Sequence, residues 1–385
     1  MNPVFADLPT TIFEEMSMRA RETGAINLGQ GFPDAGGPED VRRAAADAVM
    51  SGNNQYPPMR GLPELRGAIA DHYAAHQQLA VDSEREVVVT SGATEALAAS
   101  ILALVTAGDE VIIVQPAYDA YAPLVRQAGG IPRFVTTRPP GWTITAEMVE
   151  TVITDRTRAI VLNSPHNPTA TMLDGDELTL LADICVAHDL IAICDEVWEH
   201  LVFDDAAHRS LMTMPGMRER TVKIGSAGKI FSLTGWKVGW AIATPPVADA
   251  IAKAHQFLTF TTAPNLQTAV AYGLGKDHDY FTAMRAGYQR SRDRLATALG
   301  DSGFAVLPSA ATYFLSVDLP ASGIGIDDRD FAMRLVADAG VAVIPVSAFF
   351  ESDPVTSIVR LCFAKADDVL DAAAERLAKA RRTFG

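Results

Sequence analysis

Five short apolar runs stand out in the first two thirds of the chain: Val87–Thr90, Glu110–Val114, Arg158–Leu162, Leu190–Cys194 and Thr221–Ile224. Each is too short for a helix, and continuous rather than alternating apolar character is what a strand buried on both faces shows. Between them, Ala93–Thr106, Tyr118–Ala128 and Asp176–His188 read as amphipathic helices. Strands alternating with helices predict a mostly parallel sheet covered by helices on both faces, a block that extends to about Gly275. A long polar helix over Asp279–Ser302 then leads into a different texture. There Phe304–Val306, Tyr313–Val317, Val341–Ile344 and Ile358–Phe363 read as strands separated by loops and one or two helices, which predicts a smaller α+β domain. The first 45 residues show no strand rhythm and are expected to pack against it. The expected fold is therefore α/β with a second, smaller unit. It divides into an N-terminal arm that is part of the small domain (1–45), a large domain (46–278) and a small C-terminal domain (279–385).

Composition mostly excludes. The 385 residues carry 32 Lys+Arg against 47 Asp+Glu, a net charge of −15, which argues against a nucleic-acid surface because phosphate recognition needs basic patches. Cys185, Cys194 and Cys362 form no CxxC pair, which excludes a disulfide framework or zinc knuckle and fits a reducing compartment. Cys185 and Cys194 lie in apolar stretches and are expected to pack. Met1–Thr10 has no signal-peptide pattern, and no apolar run reaches the ~18 residues of a membrane span. A cytoplasmic protein with no membrane partner is expected. His72 and His76 lie four apart on a predicted helix, but nothing evident completes a metal site, so a solvated helix face is expected.

The lysines are more informative. There are seven, Lys223, Lys229, Lys237, Lys253, Lys276, Lys365 and Lys379, and none in the first 222 residues. In open α/β sheets function gathers at the carboxyl ends of strands, so the residues following each strand matter most. Ser91-Gly92-Ala93-Thr94 opens a helix and is either a phosphate cup or an ordinary cap. Asn163-Ser164-Pro165-His166-Asn167-Pro168-Thr169 presents an amide rigidly or simply turns. Asp195-Glu196 caps a helix or meets a buried protonated nitrogen. Gly225-Ser226-Ala227-Gly228-Lys229 places a lysine on a tight turn, with Lys237 following in Thr234-Gly235-Trp236-Lys237. A lysine near a carboxylate, an amide and a phosphate cup is what a pyridoxal phosphate site requires.

The sequence resembles the fold-type I, class I/II aminotransferases. It is most similar to the branch containing kynurenine, glutamine, methionine and N-succinyldiaminopimelate aminotransferases. The matching stretches are Asn27–Asp34, Asn54-Gln55-Tyr56-Pro57, Ser164–Thr169, Asp195-Glu196-Val197, Ser226-Ala227-Gly228-Lys229 and Val359-Arg360, in family order over nearly the whole chain. The resemblance implies an aspartate-aminotransferase-like fold, pyridoxal 5′-phosphate as cofactor, and a homodimer with shared active sites. Lys229 would bind the cofactor aldehyde and then move the substrate's proton. Asp195 would partner the pyridine nitrogen, Asn167 the phenolic oxygen, and Tyr118 would stack on the ring. Gly92, Ala93, Thr94, Ser226 and Lys237 would cradle the phosphate, with Tyr56 reaching it across the dimer interface. Arg360, with backbone at Gly31 and with Asn167, would grip the substrate α-carboxylate, and Phe13 aligns with an aromatic gate. Trp198 departs from the pattern, because the family usually has Tyr there; its indole is expected to keep one donor at the cofactor.

The implied reaction is transfer of nitrogen from an L-amino acid to a 2-oxo acid in a ping-pong cycle. Phe13 and Phe260-Thr261-Thr262 favour medium or large apolar or aromatic side chains. N-succinyldiaminopimelate transamination and carbon–sulfur β-lysis of cysteine conjugates are the alternatives.

Overall fold

The computed structural model describes residues 2–6, 8–52 and 54–384. A short strand, β1 (Ile26–Asn27), precedes two helices and then the main sheet. That sheet comprises β2 (Val87–Thr90), β3 (Glu110–Gln115), β4 (Ile131–Thr136), β5 (Thr157–Asn163), β6 (Ile191–Asp195), β7 (Thr221–Ser226) and β8 (Gly239–Ile242). The spatial order is β2-β8-β7-β6-β5-β3-β4. Neighbours from β4 through β7 are parallel, while β8 runs antiparallel to both β7 and β2.

The five predicted strands all lie in this sheet. The sequence pattern missed β4 and β8. β4 is an edge strand whose residues are mostly half-exposed, so it lacks the continuous apolar run of a central strand. β8 opens on Gly239 directly behind the Lys237 turn, and its four residues are fully buried.

Strand residues alternate between two dry faces, which explains the unbroken hydrophobic runs. Val88, Val111, Ile113, Ala159, Val161, Ile193, Val222, Ile224 and Ala241 pack into one core on one face. On the other face Val87, Val89, Trp240 and Ile242 enter a second core, and Ile112, Ile160, Leu162, Ala192 and Cys194 a third. All three cysteines are buried and unpaired.

The helix His278–Asp301, capped by the Asp277 side chain, leads into the second part. There β9 (Ala305–Val306), β10 (Phe314–Asp318), β11 (Val341–Ala342), β12 (Ile344–Pro345) and β13 (Ile358–Cys362) follow. An antiparallel sheet in the order β12-β13-β10-β9 forms from four of them. The stretch expected as one strand, Val341–Ile344, is two, because β11 leaves this sheet and pairs in parallel with β1, Ile26 opposite Val341. The N-terminal segment thus does hold a strand, contrary to the sequence expectation; two residues are too few to show a period.

Candidate active site

The residue parity that builds the first core continues past the strand ends. Asn163 ends β5, Asp195 ends β6 and Ser226 ends β7, each in step with the residues of its strand that face that core. Asn163 and Asp195 are direct cross-strand neighbours. All three line a cavity of about 210 Å³ with Gly92, Ala93, Thr94, Tyr118, Tyr121, Asn167, Trp198, Lys229 and Lys237. Position at the carboxyl edge of parallel strands brings these residues together from across 146 positions of sequence, between Gly92 and Lys237.

At one end of the cavity the helix Ala93–Leu104 begins. Its first-turn amides lack intrahelical acceptors and carry the positive end of the helix dipole. Gly92 has φ +84, and a Cβ there would lie 3.1 Å from Lys237 Cε and 3.3 Å from Nζ. Lys237 itself adopts left-handed φ (+54) at the end of the one-turn helix Thr234–Trp236. A lysine in that region is uncommon without a functional reason, and the turn brings its ammonium against the helix start. The result is a positively polarised pocket end.

Toward the other end, Asp195 is buried and accepts a hydrogen bond from the Tyr121 hydroxyl at 2.7 Å. Burial raises its pKa, with Tyr121, the Val197 amide and Lys229 acting against the rise. A buried carboxylate with so few donors suits a cation placed in the cavity. Tyr118 packs edge-on against Tyr121 with ring centroids 5.7 Å apart.

Lys229 stands on the short helix Ala227–Ile230 that starts where β7 ends. Burial lowers its amine pKa to about 8; Asp195 and Cys362 oppose the drop, and Arg360 and Lys237 add to it. At that value a useful fraction is neutral and nucleophilic near pH 7. The Nζ lies 4.5 Å from the Trp198 ring centroid, so the indole presents its face to the amine. The Nζ also donates to the Tyr313 hydroxyl at 3.2 Å.

Arg360 comes from the centre of the small sheet, flanked by Ser316 on β10 and Ile344 on β12. Its guanidinium carbon sits 3.9 Å from the Phe314 ring centroid, 5.1 Å from that of Phe349 and 5.4 Å from that of Phe13. Nη1 donates to Asn167 Oδ1 at 2.5 Å and Nη2 to the Gly29 carbonyl at 3.0 Å. The buried Nε has no partner. Burial lowers the Arg360 pKa to about 10, with Cys362, Tyr313 and Asp119 opposing, so the group stays cationic at neutral pH. Because guanidinium only donates, Asn167 must point its oxygen at Arg360, leaving its NH₂ free to face the cavity. The Asn167 backbone is fixed in turn by Asn163, whose Oδ1 accepts from Asn167 N at 2.9 Å. Gly31 lies next to Phe314, where a Cβ would approach the ring to 3.1 Å, and its carbonyl accepts from Tyr313.

One anticipated residue stays apart. Tyr56 is 82 % exposed, touches Phe260 edge-on and does not line the cavity of its own chain. Conversely, Asn163, Tyr121 and Tyr313 were missing from the sequence-derived set. Asn163 is signalled by its place at a strand's carboxyl end, whereas nothing local marks the two tyrosines.

The histidine expectation is overturned. His72 is buried on the same face of the helix Pro63–Gln77 as Leu65, Ile69 and Tyr73, with Nε2 2.7 Å from His200 Nε2. Burial and neighbouring His76 lower its pKa to about 4, so it stays neutral. Counting histidine as polar hid this apolar stripe. Nearby, Lys223 is fully buried and donates to Glu196 and to Glu199 Oε2 (2.7 Å). His208 Nε2 lies 2.7 Å from Glu196, while the Ser210 and Tyr73 hydroxyls donate to Glu196 and Glu199 at 2.8 and 2.7 Å. Among the described residues, Glu196, Glu199 and His208 form the one grouping able to hold a metal ion, and the Lys223 ammonium already bonds both carboxylates.

Comparison with known proteins agrees with this geometry. Residues 23–377 match the model of the aminotransferase class I and II family. A probable N-succinyldiaminopimelate aminotransferase of Mycobacterium tuberculosis is 44 % identical, covering 96 % of this chain and 95 % of that protein. The methionine aminotransferase of Escherichia coli is 41 % identical, covering 96 % of each. Solved structures of N-succinyldiaminopimelate aminotransferase from M. tuberculosis and of the E. coli protein YbdL, described as having a methionine aminotransferase function, superpose with TM-scores of 0.95. They are 44 % and 40 % identical, covering 98 % of this chain and 99 % of each of those chains. By its sequence, its fold and the residues gathered at its strand ends, the chain belongs to the class I and II aminotransferases.

Proposed function

We propose that the protein is a pyridoxal-phosphate-dependent aminotransferase that moves nitrogen from an L-amino acid, with a medium or large apolar or aromatic side chain, to a 2-oxo acid in two successive half-reactions. The observation that carries this reading is the lysine–carboxylate pair. A buried amine with pKa about 8 and a buried carboxylate face one cavity that ends on a helix N-terminus and a second lysine. These residues fit the cofactor. The amides from Ala93 onward, Gly92, Thr94, Ser226 and Lys237 suit a phosphate. Asp195 suits a protonated ring nitrogen, Tyr118 a ring face, and the free Asn167 NH₂ a phenolic oxygen. When bound, the cofactor supplies an electron-withdrawing ring that stabilises negative charge at the substrate's α-carbon. Trp198 enters this reading through its ring face, which supports the Lys229 amine.

Arg360 orients the substrate. Its orphaned Nε and the remaining hydrogens of its other nitrogens form a donor fork for an α-carboxylate, inside a wall of Phe13, Phe314 and Phe349 that excludes water. Gly31, beside Phe314, offers its backbone to the same group. Lys229, neutral in part at pH 7, is placed to accept and return the proton at the α-carbon.

Arg360→Ala should raise KM for the amino acid by roughly 30-fold or more while the cofactor stays bound. Lys at this position should restore only part of that, lacking the fork. Steady-state kinetics alongside cofactor absorbance provide the check; unchanged KM removes Arg360 from the substrate site.

We further propose a homodimer. Met50, Tyr56 and Phe257 are each more than 80 % exposed, a cost removed if a second copy covers them and Tyr56 reaches the partner's cofactor phosphate. Residues 46–278 would form the cofactor-binding unit, and 1–45 with 279–385 the smaller one, an arrangement supported by the pairing of β1 with β11. No helix among the described residues is long and apolar enough to cross a membrane; a cytoplasmic enzyme fits the substrates and the free cysteines.

The deciding experiment assays methionine, phenylalanine, kynurenine, aspartate and N-succinyldiaminopimelate as donors to one 2-oxo acid, with pyruvate release from a cysteine conjugate measured in parallel. Preference for the apolar and aromatic donors supports the reading. Exclusive use of N-succinyldiaminopimelate replaces the substrate, pyruvate release as the main product replaces the reaction, and no transamination with any donor overturns it.

A further inference from the structure

The Lys229 amine is held by a group that belongs to neither the cofactor cradle nor the substrate fork. Tyr313 is fully buried in the segment just before β10, with its ring set edge-on against Trp198 at 4.4 Å between centroids and its hydroxyl between two partners. On one side lies Lys229 Nζ at 3.2 Å; on the other is the Gly31 carbonyl. A phenol has one hydrogen. Gly31 can only accept, so the hydrogen goes there, and the Tyr313 oxygen must accept from Lys229. The direction of both bonds is therefore fixed by chemistry. The relay links the helix that follows β7 (Lys229), the segment that leads into β10 (Tyr313) and the N-terminal segment (Gly31), three pieces far apart in sequence.

We propose that Tyr313 is a positioning residue for the Lys229 amine: its hydroxyl, oriented by donating to the Gly31 carbonyl, accepts one of the amine's N–H bonds so that the lone pair faces the cavity. This rests on the cofactor reading above. Without the hydroxyl the amine keeps the Trp198 face and the ring at position 313 but loses this hydrogen-bond acceptor. An accepting oxygen also favours the ammonium over the neutral amine, so its removal moves the amine's titration to lower pH. Asp195, Cys362, Arg360 and Lys237 act on the same amine, and Tyr288 and Cys362 on Tyr313. Of these, Arg360 also feels the Tyr313 hydroxyl and stays cationic at neutral pH with or without it.

The test is Tyr313→Phe, which keeps the ring and its packing, beside Tyr288→Phe. The latter removes a neighbouring phenol bonded to Ser232 instead of to the lysine. The first readout is the pH dependence of cofactor capture by cofactor-free protein, followed by stopped-flow absorbance. In that step the neutral amine nitrogen bonds to the aldehyde carbon and the aldehyde oxygen leaves as water. Wild type should show a midpoint near 8. Tyr313→Phe should move it down by about half a pH unit or more, while kcat falls about tenfold with KM changed less. Tyr288→Phe should leave the midpoint in place. An unmoved midpoint in Tyr313→Phe, or equal shifts in both variants, overturns the role of Tyr313 alone. Failure of wild type to capture the cofactor overturns the cofactor reading and this inference with it.

Discussion

Lys229→Ala should lower turnover by about 10⁴-fold or more, because one substitution removes both the proposed covalent anchor and the proposed proton carrier. The surrounding site should survive. Lys237, the helix start at Ala93 and the Asp195 carboxylate remain, so the cofactor should still bind, more weakly and without a covalent link. Borohydride reduction followed by peptide mass analysis reads this directly, with the cofactor fixed on Lys229 in wild type and nowhere in the variant. Lys229→Arg should be equally inactive, since guanidinium keeps the charge and never becomes neutral near pH 7. That pair separates the amine's chemistry from its charge. Cofactor recovered on Lys237, or substantial turnover in Lys229→Arg, would reassign the catalytic group.

The largest effect on stability should come from a different lysine. Lys223→Met leaves Glu196 and Glu199 buried without their cation, and breaking one partner out of a buried ion cluster costs about 3–5 kcal/mol. The effect should appear as a lower denaturation midpoint at neutral pH. Its pH dependence carries a sign. Burial pushes the Glu196 pKa up, but Lys223 and His208 outweigh it and hold it at about 2. In the wild type the resulting stabilisation is complete above the usual carboxylate value of 4.5 and is lost as pH falls through 2. In Lys223→Met the burial of Glu196 loses its main opposing charge and favours the protonated form, so stability should instead rise as the pH is lowered from 7 toward 5. Adding Glu196→Gln and Glu199→Gln should recover part of the loss. A variant as stable as wild type at pH 7 would show that the cluster is replaceable by apolar packing.

The strands of the main sheet were legible where both faces are dry, as at Val111–Val114 or Ala159–Leu162, because burial on both sides forces an unbroken apolar run. β4 was hidden by its exposed edge and β1 by its length of two residues, while β11 and β12 read as one strand because they are separated by a single apolar residue, Val343. Of the site, the cavity-lining residues at strand ends could be read from position, and Lys229 and Lys237 from the shortness of the lysine list. Contacts closing over long sequence separations could not: Tyr121 with Asp195, Tyr313 with Lys229 and Gly31, His72 with His200. Lys223 carries a signal of its own. It sits inside a run that otherwise reads as a buried strand, and a lysine there implies carboxylates to meet it. Glu196 and Glu199 lie one strand away.

Asp195 and Glu196 are chain neighbours that serve opposite sides of the sheet. Asp195 continues the step of Ile193 toward the cavity, and Glu196 that of Ala192 and Cys194 toward Lys223. The division depends on odd and even numbering alone. A single inserted or deleted residue in β6 would therefore exchange the two acids, sending the structural carboxylate into the cavity and the cavity's carboxylate into the ion cluster. Both acids are chemically alike, yet they differ by one methylene in reach, and neither set of partners fits the other. This pair of adjacent residues makes the length of β6 a shared constraint: a change of one residue would disturb the cavity and the buried ion cluster in the same event.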